Sequence, residues 1–166
     1  EKQGACFGEV AGWERANWFA PEGVEAKYEY TYGRQNWFEY SADEHKAVRE
    51  NIGLFDQTSF ANFLLQGRDA EKVLNQVCAN DIAVPIGKLV YTQWLNEQGG
   101  IEADLTVTRI SKTSFMVVTA GATEQRDFNW LQSYIPKDAH AVLTNVTSSY
   151  AVISLMGLKS RELMST

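Results

Sequence analysis

Glu102 and Asp104 stand two residues apart in the run Tyr91–Arg109, and that spacing is the strongest candidate for proton chemistry in the chain. On an extended strand they share one face about 7 Å apart, close enough for two carboxylates to divide acid–base work or to shift each other's ionisation. The same alternation sends Ile101, Ala103, Leu105 and Val107 to the other, apolar face. A hydrated strand face presents the same pattern, because surface carboxylates are ordinarily solvated. Gly99-Gly100 precedes the pair; it suits a hairpin connection and, lacking Cβ atoms, lets a ligand approach the backbone. Most such glycine pairs are simply turns.

Other chemistries find little support. No G-x-G-x-x-G or P-loop spacing occurs. His45 and His140 lack metal-ligand spacing, no serine or cysteine sits in a nucleophile elbow, and no metal is expected. Cys6 and Cys78 are far apart, which suits two reduced thiols in an intracellular protein. Asp56 is expected to cap a turn.

The elements that must position these residues can be read coarsely. Residues 1–40 are rich in aromatic side chains, including Trp13, Trp18, Tyr28 and Trp37, without a sustained period, and suggest a lead-in that packs on another element. Ser41-Ala42-Asp43-Glu44 has capping-box spacing, predicting a helix to about Asn51 that Gly53 ends. A strand carrying Phe63 and Leu65 on one face closes at Gly67. Asp69 then caps a helix whose stripe is Ala70, Val73, Leu74 and Val77. The strand at Tyr91, the strand after Gly100 and Phe115–Thr119 form a three-stranded meander. Phe128, Leu131 and Ile135 mark a helix from about Thr123 to Tyr134, limited by Pro136, and strand character resumes at Ala141–Thr144 and Tyr150–Leu155. The sum is an α+β fold, an antiparallel β-sheet with helices packed on it.

With 166 residues, 45% of them hydrophobic, the chain has material for one sizeable core. A net charge of -6 without a basic run argues against nucleic acid, and no apolar stretch is long enough for a membrane span. The start at Glu1-Lys2-Gln3-Gly4 and the end in a helix barely begun suggest a piece of a longer chain.

Gly53-Leu54-Phe55-Asp56, Ala79-Asn80-Asp81 and Tyr91 through Leu105 resemble the aminomethyltransferase fold of the glycine-cleavage T-protein. The stretch from Phe7 to Phe19, with Gly87 to Asn96, resembles the branch fused to FAD-dependent sarcosine and dimethylglycine dehydrogenases. In that branch an upstream flavin domain oxidises an N-methyl amine and a T-protein-like module binds tetrahydrofolate to capture the one-carbon unit. The resemblance implies that residues 1–40 lead in from the flavin domain and residues 41–166 begin the folate module. The family's pterin-holding Glu and Arg are expected in the remainder of that module. It also implies that Tyr91 lies near the folate, that Phe60 lines the cavity, and that Val118-Thr119 passes the pterin. The T-protein carboxylate, counted from the double glycine, falls on Ala103, with Asp104 one position later; alternation then turns Glu102 and Asp104 away from the face of residue 103 unless a bulge re-aims one of them. A folate ligand, a flavin domain and the rest of the folate module are the implied partners, in the bacterial cytoplasm or the mitochondrial matrix. Two alternatives remain: a non-catalytic regulatory subunit resembling that of pyruvate dehydrogenase phosphatase, and a stand-alone aminomethyltransferase.

Overall fold

The computed structural model describes residues 2–10 and 12–166. In chain order its elements are β1 (Ala5–Val10), β2 (Trp13–Phe19), α1 (Phe38–Glu50), β3 (Gly53–Asp56), β4 (Ala61–Gln66), α2 (Ala70–Val77), β5 (Leu89–Leu95), β6 (Ile101–Arg109), β7 (Ser114–Thr119), α3 (Glu124–Ser133), β8 (Val142–Asn145), β9 (Ile153–Met156) and the short α4 (Ser160–Leu163). They fall into two compact units, Glu1–Phe55 with Ser154–Thr166, and Asp56–Ile153.

In the first unit β1 and β2 form an antiparallel hairpin, which the aromatic run did not announce. A register shift between Cys6 and Phe7 is the reason: a bulge reverses the alternation and erases the two-residue period on which a strand reading depends. Cys6, Trp18 and Ala20 form a small buried cluster, covered by Tyr28, Trp37 and Tyr40, and the Trp18 and Tyr40 rings stack 5.6 Å apart. That packing corrects the start of α1. The capping box does not form; the helix begins at Phe38, its N-cap is Trp37, and no side chain caps it. Seating Trp37 and Tyr40 outweighs a cap worth about 1 kcal/mol, which leaves Ser41 inside the helix, its carbonyl accepting from His45 Nδ1 at 2.6 Å. Gly53 is not the helix terminator but the first residue of β3, which pairs with β9 in a two-stranded sheet.

The second unit is a five-stranded antiparallel sheet in the order β5-β6-β7-β4-β8. The meander β5-β6-β7 is continued by β4, which comes earlier in sequence. Registers place Trp94 beside Ala103, Leu105 beside Thr92, Val107 beside Val117, Val117 beside Phe63, and Phe115 beside Leu65. Directly paired residues share a face, so these side chains line one surface. There they join the buried stripe Ala70, Val73, Leu74 and Val77 of α2, together with Leu131 of α3, and Phe128 meets Phe63 edge-on at 5.4 Å. The structure is therefore α+β, with helices packed on one face of an antiparallel sheet. Asp69 is the N-cap residue of α2 but makes no side-chain cap bond; its Oδ2 instead accepts the His140 backbone N–H at 2.7 Å.

Phe63 is fully buried at the middle of this core. Phe63→Ala is expected to cost about 3–5 kcal/mol, measured as a lowered urea midpoint for the unfolding of this unit. Both cysteines are free and buried. Cys78 Sγ accepts from Trp94 Nε1 at 3.3 Å, and burial pushes its thiol up to about 11, which makes it an inert packing group. No helix among the described residues is long and apolar enough to cross a membrane.

Candidate functional site

The face of the sheet opposite the helices carries a groove and the polar residues that wall it. Register places Gln93 beside Asp104, and Tyr91 beside Thr106, which in turn lies beside Val118. All five therefore belong to this second surface. With the connection before β4 they wall a groove of about 510 Å³, lined by Gln57, Phe60, Leu89, Tyr91, Asp104, Thr106, Val118, Thr119 and Val152 among others. That size lies within the range of small-molecule sites, about 300–1,000 Å³. Gly121 lets the chain turn closely beneath it: a Cβ there would meet the Ser59 carbonyl oxygen.

Asp104 is the polar centre of the wall. Tyr91 Oη donates to its Oδ2 at 2.7 Å and Gln93 Nε2 donates to its Oδ1 at 2.8 Å. These bonds favour the charged form. The tyrosine hydroxyl first, and then the glutamine amide, hold the Asp104 carboxyl below its ordinary range. The same bond holds the Tyr91 phenol above its own. The result is an ionised carboxylate with both oxygens oriented and each retaining further acceptor capacity.

Of the residues singled out from sequence, Phe60, Tyr91, Asp104, Val118 and Thr119 come together at this groove. Ala103 does not. It is 5% exposed, pairs with Trp94 on the helix-covered surface, and has its side chain in the core. The expectation that position 103 faces the cavity while Asp104 turns away is thus reversed. The reason is elementary, since the apolar alternation Ala103, Leu105, Val107 must be buried, and burying it aims Asp104 at the groove. Glu102 does not join Asp104 at the groove: its Oε1 accepts from Asn96 Nδ2 at 2.8 Å and it is absent from the groove lining.

Gln93, Leu89, Gln57 and Val152 escaped the sequence reading. Counting the hairpin pairing outward from Gly99-Gly100 would have found Gln93 opposite Asp104, provided the register shift between Trp94 and Leu95 were allowed for. Gln57 and Val152 meet through the Gln57 N–H and Val152 carbonyl at 2.8 Å, across a separation that no local pattern encodes. Asp56 does cap a turn, its Oδ1 accepting the Thr58 N–H at 2.9 Å.

The chain is similar to known proteins. The chain is 46% identical over 162 residues to 4-methylaminobutanoate oxidase (formaldehyde-forming) of Paenarthrobacter nicotinovorans, covering 98% of this chain and 20% of that protein. It is 31% identical over 170 residues to the mitochondrial pyruvate dehydrogenase phosphatase regulatory subunit of Mus musculus, covering 99% of this chain and 19% of that one. The chain thus spans about a fifth of the length of these two curated relatives. The glycine cleavage system aminomethyltransferase T of Bartonella henselae superposes with a TM-score of 0.74 at 24% identity, over 99% of this chain and 40% of the other, and shares the fold. Residues 1–166 match the family described as the GCVT N-terminal domain, and the chain belongs to that aminomethyltransferase family.

Proposed function

We propose that this chain forms part of a tetrahydrofolate-binding, one-carbon-transfer module in a flavin-dependent oxidase or dehydrogenase of N-methyl amines. The observation that carries this reading is the oriented, ionised Asp104, held by Tyr91 and Gln93 at the wall of an otherwise mainly apolar groove. A reduced pterin is a flat ring edged with N–H donors, and the groove offers it aromatic and aliphatic walls beside a carboxylate acceptor. Phe60, Tyr91, Val118 and Thr119 would hold the ring, and Asp104 would accept from its polar edge. When bound, tetrahydrofolate supplies the nucleophilic nitrogens that take up the one-carbon unit. What this chain adds is position and a proton acceptor close at hand. The flavin would belong to the remainder of the parent protein, since no dinucleotide-binding glycine spacing occurs in these 166 residues.

Anaerobic titration of the full-length protein with tetrahydrofolate tests the reading. Saturable binding at one site per chain is the expected result, and its absence from a protein with intact, amine-reducible flavin would overturn it. The likeness to a regulatory subunit supports a second reading, non-catalytic regulation, which predicts neither folate binding nor amine oxidation.

A further inference from the structure

Asp127, on α3, is the most deeply buried carboxylate among the described residues, at 1% exposure. Its Oδ2 accepts from Thr119 Oγ1 at 2.6 Å and from Thr123 Oγ1 at 2.7 Å. Its Oδ1 accepts from Arg126 Nε at 2.9 Å and lies in ion-pair contact with Arg126 Nη2 at 2.8 Å. Arg126 Nη2 then reaches the Glu102 carbonyl oxygen at 2.6 Å. The network thus ties α3 to the last residue of β7 and to β6 two residues before Asp104. Thr119 pairs with Ala61 of β4 on the helix-covered surface, so its hydroxyl points away from the groove while the residue itself still lines it. A buried charge costs desolvation that a packed apolar side chain avoids. The carboxylate therefore needs a reason beyond stability, and the atoms it holds are the two strand segments that shape the groove.

We propose that Asp127 is a positioning residue for the ligand groove, acting through Thr119 on the end of β7 and through Arg126 on the strand that bears Asp104. This rests on the folate reading above. Asp127 touches no ligand; it sets where the groove wall stands. A carboxylate held by three hydrogen bonds and an ion pair has one arrangement, whereas an amide or an apolar side chain would leave Thr119, Thr123 and Arg126 to find others.

The test measures the dissociation constant for tetrahydrofolate in the full-length protein, well below each variant's melting temperature. Thr119→Val keeps the side-chain shape and removes the donor; Asp127→Asn keeps the volume and removes the charge. Each is expected to weaken binding about tenfold, and Thr123→Ser, which keeps a hydroxyl on Asp127 at a residue outside the groove lining, to leave affinity within about twofold of the unsubstituted protein. Leu131→Ala serves as the control, because Leu131 lies on the same helix, fully buried, outside the groove lining. It is expected to lower the melting temperature while leaving affinity within about twofold. Unchanged affinity in both Thr119→Val and Asp127→Asn would overturn the proposal and leave the folate reading standing. So would a loss in Leu131→Ala equal to theirs, since the effect would then be general loosening. No saturable binding by the unsubstituted protein would overturn both.

Discussion

On the folate reading proposed above, Asp104→Asn in the full-length protein is expected to lower folate-dependent capture of the one-carbon unit by about 10²–10⁴-fold, the range typical of a positioned proton acceptor. The uncaptured unit should be released to water as formaldehyde. Asparagine keeps the size of the side chain but offers one acceptor oxygen in place of two and carries no charge. The check is the partition between folate adduct and free formaldehyde during amine turnover. An unaltered partition would remove Asp104 from the chemistry. The pH dependence follows from the same contacts. Because Tyr91 and then Gln93 hold the Asp104 carboxyl below its ordinary value near 3.8, it stays ionised down to more acidic pH than a free aspartate. Tyr91→Phe removes the larger cause, so the carboxyl titrates higher and the acidic limb of capture moves to higher pH. The sign for stability agrees: a depressed folded-state value means the contribution is present above the unfolded value and is lost as pH falls through the folded one. Persistence of the acidic limb at its original pH in Tyr91→Phe would separate that limb from Asp104.

Gly67→Ala, outside the groove, is expected to be as damaging as Phe63→Ala in the core. Gly67 follows β4 at φ +139, a conformation that L side chains rarely adopt, and a Cβ there would meet the His140 carbonyl oxygen, with the His140 carbonyl carbon at 2.7 Å and Ala141 Cα at 2.9 Å. The obstacles are backbone atoms and cannot rotate aside. Gly67 also donates its N–H to the Thr113 carbonyl at 2.9 Å and accepts the Ala70 N–H at 3.1 Å, so a shift of this residue disturbs the exit of β4 and the entry of α2 together. A cost of about 3–5 kcal/mol combines the strained backbone with the overpacking, a large part of the stability of a domain this size. Soluble yield and the rate of limited proteolysis between residues 56 and 153 measure it. Near-normal resistance to protease would show that the segment at His140 can move away.

The second unit was more legible than the first, for a physical reason. The stripe Ala70, Val73, Leu74 and Val77 and the alternation Ala103, Leu105, Val107 repeat at the periods of helix and strand, so local sequence already states which side must leave water. In the lead-in, a bulge at Cys6/Phe7 and stacking of Trp18 on Tyr40 decide the structure. Neither has a period. The helix at Phe38 starts where distant aromatic rings seat it, against a capping signal whose energy is smaller than that of the buried rings.

At the groove the balance is similar. Alternation alone separates an apolar face from one bearing Glu102 and Asp104, whereas the motif position implied by the aminomethyltransferase resemblance falls on Ala103. The burial requirement of the apolar face puts Ala103 in the core and aims Asp104 at the groove. What the chain's own residues determined, then, was the α+β class, the main helices, the β5-β6-β7 meander and the sidedness of β6, because each depends on contacts within a few residues or across one turn. Only the tertiary structure decided the rest: the placement of β4 beside β7, the joining of Gln93 and Tyr91 to Asp104 and of Phe60 and Val152 to the same groove, and the burial of Asp127 behind Thr119. The placement of β4 and the meeting of Phe60 and Val152 at one groove depend on segments far apart in sequence, whose register and partners are chosen by the packing of the whole unit, while the contacts to Asp104 and Asp127 are nearer in sequence but need the hairpin register and the seating of α3 to be set first.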